Sequence, residues 1–280
     1  MAIKDFKNKQ VLITGAASGI GRSMVLSFAK RGANIIACDL NLEGLELLQK
    51  EVKELGVECL TFAANVGSED AMKTLADQVH EQVDVVDVLI NNAGIGYMGA
   101  FVDNELEHWQ RVMDVNLMGI VYGCHYFLPK MLAAGGAKHI VNIASSAGNF
   151  PTPGMAAYVT SKYAAKGFSE ALRLELWKTP VSVTTVNPGV IRTAIVNTHP
   201  GNMNPKVTKL QTDTLQAFYQ KNGCSPDVVA EATVKAVMRG KQVIDPGPGT
   251  SIMYHLNRIS PALARYLAIA AGKKMGYWVD

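Results

Sequence analysis

Apolar positions along this chain fall into two alternating kinds of segment. Short, predominantly apolar runs at 10–14, 33–38, 58–63, 85–90, 139–143, 181–186 and 242–244 read as strands. Between them, 20–31, 42–55, 69–82, 105–134, 155–177 and 226–239 carry apolar residues at helical spacing. Strands separated by helices do not pair as hairpins. The alternation therefore predicts an α/β protein, doubly wound, with a mostly parallel seven-stranded sheet, right-handed crossovers and helices on both faces. Runs without polar alternation fit strands buried on both sides.

The rhythm breaks after Pro188. Residues 190–225 carry Thr, Asn, Gly, Pro and Lys without a strand, and a loop of that length in a regular fold reads as a lid over a site. From about 251 the chain changes again: Ile252, Leu256, Ile259, Leu263, Tyr266, Leu267 and Ala270 recur at helical spacing, with His255, Arg258, Arg265, Lys273 and Lys274 between them. This is an amphipathic tail. It either folds over the ligand pocket or a subunit interface, the preferred reading, or attaches to a membrane surface. The expected organisation is one domain, 1–250 with the lid inside it, and 251–280 as its C-terminal extension.

Composition narrows the function. With 48% hydrophobic and 18% charged residues the chain is not disordered. The formal charge of +3 is spread thinly, with no basic block longer than Lys273-Lys274, which argues against a nucleic-acid partner. Cys38, Cys59, Cys124 and Cys224 are far apart and no histidine cluster accompanies them, so no metal site is expected and the thiols should be reduced. Lys4, Asp5, Lys7 and Lys9 stand where a signal peptide needs an apolar run, and no apolar stretch reaches the ~18 residues of a spanning helix. A cytoplasmic location is expected.

Thr14-Gly15-Ala16-Ala17-Ser18-Gly19-Ile20-Gly21 follows a strand and opens a helix. A glycine-rich turn there lets backbone approach a pyrophosphate, with helix N–H groups and dipole favouring the anion. Gly15 suits the tight turn, Gly19 the close approach, and Gly21 the packing of helix on strand. No Gly-Lys-Ser/Thr follows, so a triphosphatase loop is not indicated. Asp39 ends the second strand about twenty residues on, where a carboxylate accepts from the adenosine ribose hydroxyls and repels a 2′-phosphate. Neither Ser18 nor Leu40 offers a compensating base, and Arg22 is the nearby cation. NAD is therefore favoured over NADP. Asp39 or Asn41 could equally cap the following helix.

Tyr158 and Lys162 stand four apart in a segment of helical spacing, so they share a face. A phenol of pKa near 10 becomes a base at neutral pH only if its phenolate gains roughly 4 kcal/mol of preferential stabilisation, which an adjacent ammonium helps to supply.

Together these landmarks resemble the short-chain dehydrogenase/reductase family: Thr14–Gly21 its cofactor loop, Asn91-Asn92-Ala93-Gly94 its sheet-stabilising motif, Asn116 its helix-four asparagine, Ser145, Tyr158 and Lys162 its catalytic set, and Pro188-Gly189 its nicotinamide-side turn. The resemblance spans about residues 10–245 and implies a Rossmann fold and an NAD-dependent oxidoreductase. It implies Tyr158 as acid/base, Lys162 on the nicotinamide ribose, Ser145 on the substrate oxygen, and Asn116 holding a water that links Lys162 to solvent. Ser146 is out of register for the serine role. Asn92, Ala93 and Gly94 would pass beneath the adenosine ribose, with Asn91 bracing the sheet. Ile191 and Thr193, following Pro188 and Gly189, would bind the carboxamide. Asn65-Val66 replaces the family's usual Asp-Val near the adenine.

Substrate choice is expected in Ile95, Gly96, Tyr97 and Met98, in 149–155, and in the 194–222 lid, whose Met, Phe, Tyr and Ile suggest an apolar secondary alcohol or ketone. The alternatives are an NADP-linked carbonyl reductase, if Arg22 reaches a 2′-phosphate, and a non-catalytic nucleotide-sensing regulator. The family also implies a homodimer or homotetramer packed through the Tyr158 helix.

Overall fold

The computed structural model describes residues 2–193 and 200–274. Part of the expected lid (194–199) and the last residues of the tail (275–280) lie outside them. Seven strands, β1 (Gln10–Thr14), β2 (Asn34–Asp39), β3 (Cys59–Ala63), β4 (Val88–Asn91), β5 (Lys138–Ile143), β6 (Val181–Val186) and β7 (Val243–Ile244), form one sheet in the order β3-β2-β1-β4-β5-β6-β7. Every ladder is parallel. The order reverses between β1 and β4, which opens a crevice at their carboxyl ends.

On one face α1 (Gly19–Ala29), α2 (Leu42–Glu54) and α8 (Pro226–Arg239) bury Met24, Phe28, Leu45, Leu48 and Val234 against Val11, Ile13 and Ile90. On the other, α3 (Glu69–Gln82), α5 (Gly119–Ala133) and α6 (Ala156–Glu175) bury Met72, Val79, Phe127, Ala165 and Leu172 against Leu12, Leu89 and Ile140. Alternate residues of β1 thus serve opposite layers, as a doubly covered strand requires. Short polar residues start the helices: Asn41 caps α2 through Gly44 N–H, Ser68 caps α3, and Ser225 with Pro226 opens α8.

Three segments differ from expectation. The helix expected over 105–134 is α4 (Leu106–Met113), a π turn at Asp114–Met118 and then α5. In that turn Gly119 N–H reaches back five residues to Asp114 O. The lid contains α7 (Lys209–Asn222), closed by a capping box between Thr208 and Gln211. The tail is two helices, α9 (Thr250–Ile259) and α10 (Pro261–Lys274), because Pro261 has no N–H to continue α9 and instead opens α10.

The sheet interior contains polar side chains that must find partners. Asn91 donates to Asn142 Oδ1 at 2.9 Å across β4 and β5, and Asn142 donates to Ser169 Oγ at 3.0 Å. His139 on β5 is fully buried. Thr184 spends its hydroxyl proton on Lys241 O, so His139 Nε2–H donates to Thr184 Oγ1 at 2.7 Å. Nδ1 is left without a partner, and burial pushes the imidazole pKa down to about 3.

An imidazole held neutral below its unfolded pKa of about 6.5 contributes stability above that pH, lost as pH falls toward 3. Urea unfolding at pH 7 and 4.5 should therefore show the parent losing roughly 2–3 kcal/mol more than His139→Gln. Equal acid sensitivity would assign the loss to other groups.

Candidate active site

The crevice between β1 and β4 is built by backbone fastening. Thr14 Oγ1 accepts from Asn92 N–H at 3.0 Å and Ala93 N–H at 3.1 Å, and Asn92 Nδ2 donates back to Thr14 O at 2.9 Å. This brings Gly15, at φ +64, so near β4 that a Cβ would lie 2.8 Å from Ala93 Cα. At Gly21 a Cβ would lie 1.9 Å from Gly15 O, so α1 seats directly on the loop. Ser18 makes no side-chain cap and the first turn of α1 has no acid. Its amino-terminal N–H groups are therefore available to an anion at the cavity.

Asp39 closes the far side. Its Oδ2 accepts from Ala17 N–H at 2.9 Å and its Oδ1 from Asn41 N–H at 3.0 Å, while Asn41 caps α2. Asp39 is therefore not the helix cap. It pins the loop and keeps carboxylate lone pairs at the cavity wall beside exposed Leu40. Arg22 is paired with Glu51 at 2.5 Å. Asn65 Oδ1 accepts from Gly67 N–H at 3.0 Å, so an adenine contact there would share that oxygen.

At the other end α6 sets Tyr158 and Lys162 one turn apart, with Lys162 Nζ 5.7 Å from the Tyr158 ring centroid. Nζ is buried and donates to Ile143 O at 3.0 Å, at the end of β5. Ser145 heads the turn Ser146–Gly148, accepts from Ala147 N–H at 3.1 Å, and hydrogen-bonds Tyr158. Desolvation pushes Lys162 down to about 8. Burial also raises the Tyr158 phenol, against which the Ser145 hydrogen bond works. Both groups are thus driven toward neutrality unless further charge arrives.

One cavity of about 440 Å³ joins these features. It is lined by Gly15, Ser18, Gly19, Ile20, Gly21, Asp39, Leu40, Asn65, Val66, Asn92, Ala93, Gly94, Ser145, Tyr158, Lys162, Pro188, Gly189, Ile191 and Thr193. Asn116 lies behind the wall, fully buried. Its Oδ1 accepts from Ile95 N–H at 2.8 Å and its Nδ2 donates to Ile95 O and Ser161 Oγ. Its side chain therefore ties the chain after β4 to α6 and has no spare donor for water.

Ile95, Phe150, Thr152, Met155, Asn202 and Tyr219 form the remaining end. Gly96, Tyr97, Met98 and Asn149, expected there, do not line it. Tyr97 stacks on His108 at 4.5 Å, Met98 packs with Leu215, and Asn149 binds Asp245 and Lys166. Ala64, Val115, Ile143 and Ala144 also line the cavity. They are apolar residues at strand and turn ends whose only signal is position.

The family profile of the short chain dehydrogenases matches residues 9–204. The chain belongs to the short-chain dehydrogenase/reductase family. The chain is 35% identical over 267 residues to the probable oxidoreductase EphD of Mycobacterium bovis, covering 94% of this chain but 45% of that protein, so it spans less than half of that relative. It is 36% identical over 192 residues to the cyclohexanol dehydrogenase of an Acinetobacter strain, 68% of this chain and 76% of that one. A Burkholderia phymatum short-chain dehydrogenase/reductase solved with NAD superposes with TM-score 0.86 at 27% identity, over 93% of this chain and 96% of that one. Another similar structure, of a metagenomic short-chain oxidoreductase, was solved with NADP.

The uncapped α1 terminus, the glycine cradle and the acid at Asp39 suit a nicotinamide dinucleotide. The Lys162 ammonium, in turn, weighs on the fold. Its pKa of about 8 lies below the ordinary 10.5, so the unfolded chain binds more protons between these values and stability from this group rises with pH there. Lys162→Met should unfold at a temperature at least equal to the parent at pH 7, with that advantage shrinking from pH 8 to 10. A lower melting temperature at pH 7, by differential scanning calorimetry without cofactor, would contradict this account of Lys162.

Proposed function

We propose that this dehydrogenase/reductase transfers hydride between NAD(H) and an apolar secondary alcohol or ketone, with Tyr158 as acid/base. The observation that carries the reading is Tyr158, placed between Ser145 and Lys162 at the end of a cavity whose other end is an uncapped helix terminus faced by a carboxylate. When bound, the nicotinamide supplies or accepts the hydride. In oxidation the Tyr158 phenolate takes the alcohol proton, and in reduction the phenol returns one to the carbonyl oxygen. Ser145 Oγ–H donates to that oxygen as charge develops on it. Lys162 holds the nicotinamide ribose, and its ammonium favours the phenolate, offsetting the burial that raises the Tyr158 pKa.

Preference for NAD is supported by Asp39, whose charge opposes a 2′-phosphate, and by the Glu51 carboxylate that occupies Arg22. The contacts assigned to Asn92–Gly94 and to Pro188, Gly189, Ile191 and Thr193 follow the same reading. Ile95, Phe150, Met155 and Tyr219 support an apolar substrate, as does the similarity to a cyclohexanol dehydrogenase. Exposed Leu174 and Trp177 on or beside α6 fit burial in a homodimer or homotetramer. Retention of Ser145, Tyr158 and Lys162 together weighs against a regulator without turnover.

Tyr158→Phe should lower kcat for cyclohexanol oxidation by at least about a thousandfold while the NADH dissociation constant, read by fluorescence, moves less than about threefold. Retained turnover would remove Tyr158 from its role. Asp39→Ala should shift the ratio of NAD to NADP kcat/KM by about tenfold or more toward NADP. An unchanged ratio would mean that Asp39 does not read the ribose.

A further inference from the structure

We propose that the outer face of α9 and α10 is a docking surface for an anionic lipid bilayer. Helix α10 is built the reverse of an ordinary surface helix, which buries its large apolar residues and exposes its polar ones. Its buried residues are Ala264, Ala268 and Gly272, a single stripe of small side chains. Gly272 seats so closely that a Cβ would lie 2.9 Å from Pro153 Cγ. With the small residues against the protein, helical spacing turns Leu263, Tyr266 and Ala270 away from it and puts Leu267 and Ile269 on the flanks. All five are exposed, Tyr266 by 69%. Helix α9 adds Ile252 and Ile259, the latter 83% exposed. Exposed apolar side chains gathered in this number on two consecutive helices are what soluble surfaces avoid unless something covers them.

Charge identifies the cover. Between Asp245 and Asp280 the sequence has no acidic residue but carries Arg258, Arg265, Lys273 and Lys274. Arg265 and Lys274 are exposed beside the apolar face. A second copy offering the same face would bring like charges together, whereas a bilayer with anionic headgroups meets both the apolar and the basic residues. Among the described residues no helix is long and apolar enough to cross a membrane, so the tail would lie on the surface rather than span it.

The tail is also fastened to the wall of the cavity. Asn257 Nδ2 donates to Asn149 O at 2.7 Å, Lys166 Nζ lies 5.2 Å from the Tyr254 ring centroid, and Gly272 meets Pro153. These contacts hold the 149–155 segment, of which Phe150, Thr152 and Met155 line the substrate end. Docking would therefore set the substrate end beside the lipid, a consequence that rests on the hydride-transfer reading, while the surface itself does not.

The test is flotation of the full chain with vesicles of phosphatidylcholine mixed with phosphatidylglycerol, and with phosphatidylcholine alone. Binding to the anionic vesicles is expected, reduced about tenfold or more on neutral vesicles or in high salt. Tyr266→Glu with Ile269→Glu should lose binding by a similar factor while the melting temperature and NADH affinity are unchanged. Arg265→Glu with Lys274→Glu, which leaves every apolar residue in place, serves if the first variant folds poorly and should show the same loss. Absence of the parent from the anionic vesicles, or equal flotation of a folded variant, overturns the proposal. So does a dimer, seen by sedimentation, that the first variant abolishes in a parent that binds no lipid. Flotation does not read turnover, so failure of the proposed reaction would leave this result standing.

Discussion

A desolvated ammonium is the constraint around which the cavity is arranged. Lys162 is almost fully buried at the cavity wall, with Ile143 O as the protein acceptor of its Nζ. One neutral carbonyl does not repay the hydration that a cation gives up on burial. Rigid elements frame the position: β5 fixes the carbonyl, Gly148 abuts the Lys162 backbone, and at Gly94 a Cβ would lie 3.2 Å from Asn116 Oδ1 and in contact with Nζ. On the proposed reading, that unmet electrostatic demand is what would favour ribose hydroxyl groups and a developing phenolate beside it. A fully satisfied lysine would hold a fold together and activate nothing.

The π turn belongs to the same arrangement. One extra residue in the helix after β4 places Asn116 so that its amide grips both sides of Ile95 and Ser161 at once. The turn thus couples three elements, the end of β4, the α4–α5 segment and α6, near the lysine. Gly119 permits this by sitting against Val66, where a Cβ would lie 3.0 Å from the Val66 side chain. Asn65 and Val66, in the cavity wall, and Asn116, behind the lysine, are therefore linked through one backbone irregularity.

Strand positions and the sheet's doubly wound character were legible because burial on both faces leaves short apolar runs without regular polar alternation, such as Val11-Leu12-Ile13. The glycine loop and the Tyr158–Lys162 pair were legible because their spacing is tied to backbone geometry. What escaped has equally specific causes. Apolar periodicity runs through 105–134 without interruption, so the π turn at Asn116 leaves no trace in it. Helix α7 has few apolar positions, and its capping box, Thr208 to Gln211, was its clearest mark. Tyr97 and Met98 look like pocket residues by type, yet His108 and Leu215 claim them, which is a matter of tertiary packing alone. Asn149 stays buried but is held off the cavity lining by Asp245 and Lys166, partners outside its own segment.

The contact of Gly272 with Pro153 makes the C-terminal helix a buttress for the cavity wall. Any residue larger than glycine at that point must lift α10 or push the proline, and the proline lies in the same short segment as Thr152 and Met155. Pocket shape is therefore inherited partly from outside the pocket. Related chains that keep every motif in the sheet could diverge in the molecules they accept by drifting only in the far tail, and a comparison confined to cavity-lining positions would not see it.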